Sequence, residues 1–156
     1  MKGKGMAMKI ALGCDPNARE LTTLIKAHVE SLGCEAVDFG SDDPIYANVA
    51  IAAATAVAQG RCERGILICG TGIGMSIAAN KVHGAYAALC SDAYSAERAR
   101  KSNNANIMTL GAFVVGPELA KTLVTIWIRS EFDPKSPSGP KVRRIVDFES
   151  EQAKRR

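Results

Sequence analysis

Aromatic side chains are scarce in this chain: four Phe, three Tyr and one Trp make up 5% of its 156 residues. A protein that stacks the bases of a nucleic acid needs such platforms set among basic residues. No motif of that kind occurs, so nucleic-acid binding is not expected. Only two histidines are present, His28 and His83, too few for a His-rich centre, and no metal is expected. The five cysteines, Cys14, Cys34, Cys62, Cys69 and Cys90, form no CxxC pair. An odd number in that pattern argues for free thiols rather than disulfides or zinc. No apolar run approaches the roughly 18 residues of a membrane span. The opening MKGKGMAM is basic but has no continuous apolar segment. Neither a signal peptide nor a membrane partner is therefore expected, and the cytoplasm is the expected location.

What is present suits one globular domain. Apolar residues make 47% and charged residues 23% of the chain, enough to bury a core and too apolar for a disordered protein. The net charge of +4 sits largely at Lys141, Arg143, Arg144, Lys154, Arg155 and Arg156, a solvated helix face with room for an anion contact. Five short apolar runs predict strands at Lys9–Gly13, Glu35–Phe39, Gly65–Cys69, Ala85–Leu89 and Ile107–Leu110. They read as apolar on both faces, as central parallel strands do. Ala18, Leu21, Leu24, Ile25, Val29 and Leu32 form a helical stripe closed by Gly33. An alanine-rich helix is expected near Tyr46–Gln59, packed closely on a sheet. Pro117 opens a further amphipathic helix, and Asp133–Pro140 is a loop by composition. A short polar helix is expected to end the chain, with Val142, Ile145, Val146 and Phe148 docked on the body or on a partner subunit. The alternation predicts an α/β fold with one parallel five-stranded, Rossmann-like sheet between helical layers, an αβα sandwich. Ligands then gather beyond the carboxyl ends of the strands.

The segment Ile66–Lys81, ILICGTGIGMSIAANK, carries the chemistry. A buried strand ends in Cys69, and Gly70, Gly72 and Gly74 then let several N–H groups face one point before a helix begins. The turn and the helix start favour the thiolate of Cys69. Cys34 and Cys62 read as inert, and Cys14 and Cys90 as packing. Asp15 is suited either to capping the first helix or to holding a ligand, and Asp92 reads as the cap of the helix starting near Ala93. His28 reads as exposed or partly packed on a helix. The polar run Ser102–Asn106 precedes the fifth strand, and its loop is expected to converge with the strand ends on one crevice. The GxxxxGK phosphate loop is absent. Gly70-x-Gly72 lacks the third glycine of a dinucleotide fingerprint and follows the third strand rather than the first, although Asp92 lies about twenty residues on. A thiolate, an aspartate, a threonine and a nest of N–H groups suit the movement of a carbonyl between adjacent sugar carbons without a cofactor. The base removes a carbon-bound proton, the backbone donors hold the enediolate, and Thr71 passes the hydroxyl proton or holds an oxygen.

At these residues the chain resembles the ribose-5-phosphate isomerase B and galactose-6-phosphate isomerase family. GCD at Gly13–Asp15, ILICGTGIGMSIAANK, DAYSAERAR at Asp92–Arg100, NNAN at Asn103–Asn106 and VVGPELAK at Val114–Lys121 carry the resemblance. It implies a flavodoxin-like domain over 8–156 behind a disordered tail, 1–7. It also implies a homodimer or homotetramer, with the C-terminal helix at a subunit interface and a sugar phosphate as substrate. By position, Cys69 matches the catalytic base of members that use cysteine; other members place a glutamate where Met75 stands. Thr71, Gly70, Gly72 and Gly74 match the enediolate cradle, and Asp15 an aspartate that holds substrate hydroxyls. Asn103 matches a substrate-contacting asparagine and Arg144 a phosphate-gripping arginine.

Five residues at four places depart from the pattern. Pro16 stands where many members have histidine, and Ser102 where a ring-opening histidine is expected. Phe113 replaces an arginine, and Pro140-Lys141 replaces an Arg-His pair. A tetrose 4-phosphate has its O4 esterified, cannot form a furanose and needs no ring opening, which suits Ser102. Lys141, Arg143 and Arg144 remain as cationic contacts. The expected function is aldose–ketose isomerisation of a small sugar phosphate, of the ribose 5-phosphate type or of a tetrulose 4-phosphate. The competing readings are a non-catalytic sugar- or nucleotide-binding module on the same fold and, more weakly, a nicotinamide-dependent enzyme.

Overall fold

Three strands shut off from solvent form the middle of a five-stranded parallel sheet. β3 (Arg64–Cys69) and β5 (Ile107–Gly111) bury every residue, and β1 (Lys9–Cys14) buries all but Lys9. β2 (Glu35–Asp38) and β4 (Ala87–Leu89) are shorter and only partly covered. The order is β2-β1-β3-β5-β4. The expectation that all five strands are central therefore holds for three of them; the other two are edges. Between them run α1 (Arg19–Ser31), α2 (Tyr46–Ala58), α3 (Ile73–Ala79), α4 (Ala93–Lys101), α5 (Pro117–Arg129) and α6 (Gly139–Lys154), with a 3₁₀ turn at Pro16–Ala18. This computed structural model describes residues 5–156. Residues 1–4 of the expected tail lie outside that range, and residues 6–8 are in neither helix nor strand.

Side chains alternate across each strand and so fill two cores. Ile66 and Ile68 face α1, α4 and α5, where Ile25, Val29, Leu123 and Trp127 meet them. Leu67 and Cys69 face α2 and α3, where Ala50, Ala53, Ala54 and Met75 pack. Small side chains on α2 let that helix lie close to the sheet, as its alanine content predicts. From β1 the chain passes to β2 on one side and then returns to β3 on the other. That reversal between β1 and β3 opens a crevice beyond their carboxyl ends. Farther on, β4 goes to the edge and β5 is inserted beside β3, so the last two strands are exchanged relative to the flavodoxin order.

Two buried arginines brace the opposite, amino-terminal end of the sheet. Arg64 donates to the carbonyls of Trp127 (2.9 Å) and Ile128 (3.0 Å) at the end of α5, and to Glu131 (2.9 Å). Arg100 donates to Ala105 O (2.9 Å), Asn104 Oδ1 (3.1 Å) and Ser130 O (3.4 Å). Burial, and then the neighbouring Arg64 charge, pulls Arg100 down to about 10, against the opposing pull of Glu131.

α6 begins inside the stretch expected to be a loop and, at 16 residues, is longer than expected. Glu149 ties it to the body, accepting from Tyr86 Oη (2.5 Å) and from Gly84 N (3.3 Å). Its apolar side stays open, with Ile145 56% and Phe148 51% exposed. A gap of about 280 Å³ remains between Val142, Ile145 and Val146 and the edge strand.

Replacing Arg64 with Met should lower stability by about 2–3 kcal/mol in urea denaturation. Two sheltered carbonyls lose their donor, and partly exposed Glu131 limits the loss. An unchanged midpoint would mean that water takes over those carbonyls.

Candidate active site

The crevice at the strand reversal is assembled by main-chain bonds. Asp15 N donates to Ile68 O (3.1 Å), which sets the end of β1 beside the end of β3. Ala112 N donates to Cys69 O (2.8 Å) and Phe113 N to Gly70 O (3.0 Å), bringing in the end of β5. Three segments therefore meet around Gly70.

The turn from β3 into α3 has room for no other backbone. Gly72 sits at φ 80°, and a Cβ there would lie 2.7 Å from Leu89 Cδ1 and 2.9 Å from Leu110 C. A Cβ on Gly111 would lie 2.7 Å from the Thr71 carbonyl oxygen. So folded, the turn aims Gly72 N–H at Cys69 Sγ, 3.1 Å away. The sulfur is thus held from the main chain at the start of α3. Burial pushes the other four thiols, Cys14, Cys34, Cys62 and Cys90, up, Cys90 to about 11. Cys69 is only 5% exposed and packs with Leu67 and Met75 beneath the turn. Thr71 is exposed above it, and its Oγ1 accepts from Ile73 N (3.2 Å). Gly74 belongs to the first turn of α3, whose N–H groups have no partner within the helix.

Asp15 is half-buried, and its Oδ1 accepts from Asn17 N (2.8 Å). It caps the 3₁₀ turn and, at the same position, stands beside the Cys69 loop, so the two readings of this residue are compatible. Asp92 caps α4 through Ser95 N (2.7 Å), as expected. His28 is half-buried and bonded to Thr125 Oγ1 (2.7 Å) across α1 and α5. The ring of Phe113 is 75% exposed and lies over Gly70, 3.0 Å from where a Cβ would be.

Ser102, Asn103, Lys141 and Arg144 are not in this crevice, which corrects the expectation that the loop before β5 converges with the strand ends. Gly65 pairs with Ile107 and Cys69 with Gly111, so the segment before Ile107 lies at the amino end of β3. Four steps of about 3.3 Å put roughly 13 Å of strand between the two levels. At that end, Asn103 Nδ2 donates to Arg98 O (2.9 Å), and Asn104 stands at φ 52°. Lys141 and Arg144 are exposed on α6, where Arg144 pairs with Glu151 (3.2 Å). The residues thus form two groups at opposite ends of one sheet.

Three features escaped the sequence reading. Tyr46 opens α2 and brings its hydroxyl against Gly74, where any Cβ would collide with it. Pro44 and Asp43 mark the helix start, but nothing in the spacing points that phenol at the glycine loop. Asn80, within IAANK, pairs with both backbone groups of Ala87 (2.8 and 3.0 Å) and closes the β4 edge. Asn106, within NNAN, clamps Gly84 O and Tyr86 N (2.9 and 2.8 Å). Among the described residues no helix is long and apolar enough to cross a membrane, and no three His, Cys, Asp or Glu side chains gather as a metal site would require.

A parallel sheet with a thiol, a glycine nest and an aspartate at its strand reversal defines an α/β enzyme for a small polar substrate. Comparison with known proteins specifies the class. Residues 10–145 match the model of the Ribose/Galactose Isomerase family. The chain is 46% identical to the D-erythrulose-4-phosphate isomerase of Pectobacterium atrosepticum, covering 93% of this chain and 97% of that one. It is 47% identical to the ribose-5-P isomerase B of Listeria innocua, covering 92% and 96%. The structure of Clostridium thermocellum ribose-5-phosphate isomerase B superposes with a TM-score of 0.87 at 40% identity, over 93% of this chain and 99% of that one. This chain belongs to the ribose/galactose isomerase family of sugar-phosphate isomerases.

Gly72→Ala should displace the turn, costing about 1–2 kcal/mol at the positive φ and lowering isomerase kcat by at least about tenfold. The checks are thermal melting and a coupled assay. Unchanged activity in this variant would show that the loop tolerates a side chain and is not a shaped cradle.

Proposed function

We propose that the chain interconverts the aldose and ketose forms of a tetrulose 4-phosphate through an enediolate, with Cys69 as the base. The observation that carries this reading is the sulfur of Cys69, held by Gly72 N–H in a turn that only glycine can make. The thiolate takes the proton from the carbon beside the carbonyl, and the electron pair moves onto the carbonyl oxygen. The Gly70–Gly74 backbone stabilises that oxygen, and Thr71 Oγ1 relays the hydroxyl proton. The thiol then returns its proton to the neighbouring carbon, which completes the exchange without net oxidation. Asp15 holds the substrate hydroxyls.

The choice of a four-carbon substrate rests on residues rather than on overall likeness. The relatives named for erythrulose 4-phosphate and for ribose 5-phosphate are equally similar to this chain, at 46% and 47%. Ser102 removes a ring-opening group that a tetrose 4-phosphate does not need, and Phe113 shortens the cationic reach of the crevice.

The second group of residues calls for a second copy of the chain. Ser102, Asn103, Lys141 and Arg144 lie too far from Cys69 to meet the same sugar within one molecule. A homodimer, alone or paired into a tetramer, brings them across. The open apolar side of α6 and the exposed Ile73 (52%) and Ile77 (58%) of α3 are the surfaces for that contact.

Cys69→Ala should lower kcat by about 10²–10⁴-fold, while sugar binding by calorimetry and the melting temperature stay close to those of the parent. Solvent deuterium uptake at the carbon beside the carbonyl should disappear with it. Retained turnover would remove Cys69 as the base, and binding with no exchange in the parent would favour a binding module. Erythrulose 4-phosphate should be converted with at least about tenfold higher kcat/KM than ribose 5-phosphate; equal efficiencies would refute the reading of Ser102.

A further inference from the structure

Gly70 lacks a side chain for a reason that its own backbone does not supply. Unlike Gly72, it is not at a positive φ, so its conformation is open to any residue. The atoms that a Cβ there would meet are Cδ2 and Cε2 of Phe113, both 3.0 Å away. The glycine makes room for an aromatic ring at the lip of the nest. The turn that carries the ring is bonded at four successive residues. Ala112 N donates to Cys69 O (2.8 Å), Phe113 N to Gly70 O (3.0 Å), and Val114 N and Val115 N both to Gly111 O (3.0 Å). Phe113 therefore projects from a fixed point. It also lines a cavity of about 280 Å³, shared with Asn17, Glu20, Leu21 and Leu24 beside the start of α1 and with Val115 and Pro117 before α5. The ring thus touches the glycine turn and the cavity at once. In the sheet order, β1 and β5 flank β3, so Asp15 and Phe113 stand on opposite sides of the Cys69–Gly70 end.

We propose that Phe113 sets the length of the sugar, its ring closing the β5 flank of the crevice against the cavity behind it. The inference rests on the isomerase reading above. A substrate with its carbonyl over the Gly70–Gly74 backbone and its hydroxyls at Asp15 runs across the end of β3. Each added carbon then carries its far end toward Phe113. A phenyl ring has no donor or acceptor for a hydroxyl, so a polar carbon pressed against it loses water and gains no partner. The next H–C–OH unit has to enter the space that the ring fills. Shortening the side chain to a methyl group frees more room than one such unit needs and joins it to the cavity. Glu20 on that wall, with no basic residue beside it, suits hydroxyl-bearing carbons and not a phosphate. The cavity is therefore spare length for the carbon chain, and the phosphate stays on the open side. A wall built on a bonded turn discriminates by shape, which a mobile loop does less sharply.

The test compares the parent with Phe113→Ala, Phe113→Leu and Leu24→Ala on erythrulose 4-phosphate and ribulose 5-phosphate. Phe113→Ala should move the ratio of the two kcat/KM values by about tenfold toward the five-carbon sugar, the scale on which a pocket senses one carbon unit. The change should lie mainly in a lower KM for ribulose 5-phosphate, with kcat on the four-carbon sugar within about threefold of the parent. Phe113→Leu keeps an apolar surface and should give a smaller shift in the same direction. Leu24→Ala enlarges the cavity from its far wall, leaves the ring in place, and should not move the ratio. Melting temperature and gel-filtration volume are followed in each variant. A ratio unchanged in Phe113→Ala, an equal shift in Leu24→Ala, or a shift found only with an altered elution volume would overturn the proposal. The ratio is compared between variants, so its movement is judged apart from which sugar the parent prefers. If the parent exchanges no proton on any sugar phosphate, the isomerase reading fails instead. Calorimetric binding of ribulose 5-phosphate then decides for Phe113 by itself: tighter binding to Phe113→Ala than to the parent supports the wall, and equal binding refutes it.

Discussion

The space between the end of β3 and the start of α3 is the constraint on which the site depends. Thr71 passes so close to β5 that Gly111 has no room for a Cβ, and Gly72 is pinned against Leu110 at a positive φ. A glycine in the turn after β3 and a glycine at the end of β5 are therefore fixed by the same close approach. The contact is possible only because β3 and β5 are neighbours in register, which in turn requires β5 to be inserted between β3 and β4. The exchange of the last two strands is thus tied directly to the geometry of the thiol. With β4 in that position, its short strand would face the Thr71 turn instead, and the close approach of Gly111 would be lost.

The sequence made the middle of the fold legible and the rim much less so. Runs such as ILIC and IMTLG carry the mark of burial on both faces, and the stripe Leu21, Ile25, Val29 places α1 without ambiguity. Burial says nothing of lateral order, so β2 and β4 read as central although they are edges. Ser102–Asn106 were misplaced for a different reason. In a parallel sheet every loop before a strand lies at the amino end and every loop after one at the carboxyl end. That rule, applied to the predicted strands, already separates Ser102 from Cys69. What could not be read was contact between distant residues, such as Tyr46 with Gly74 or Glu149 with Tyr86, because no local pattern encodes it.

Family motifs are also divided between chemistry and scaffolding. CGTGIG shapes the nest around sulfur. Asn80 of IAANK and Asn106 of NNAN instead use both ends of their amides on backbone groups, closing the sheet edge and the loop before β4. An amide that donates and accepts along one edge substitutes for a missing strand, which explains why asparagine stands at those points. Asn103, between them in sequence, has only one such bond, to Arg98 O. Among the described residues its amide makes no second bond of this kind, so it is not a clamp.

The same reasoning separates the arginines. Arg64 and Arg100 are buried, and each donates to main-chain carbonyls that the fold would otherwise leave open. Their charge is a cost of the scaffold: desolvation draws both guanidiniums down, and Glu131 only partly offsets it. Arg98 takes no main-chain carbonyl as acceptor and keeps an unpaired donor, and a third of its side chain is exposed at 36%. Its bonds to Ser102 and Glu97 are partly exposed, and pairings of that kind contribute little to folding. Hydrogen-bond partners, rather than burial alone, therefore tell Arg98 apart from Arg64 and Arg100.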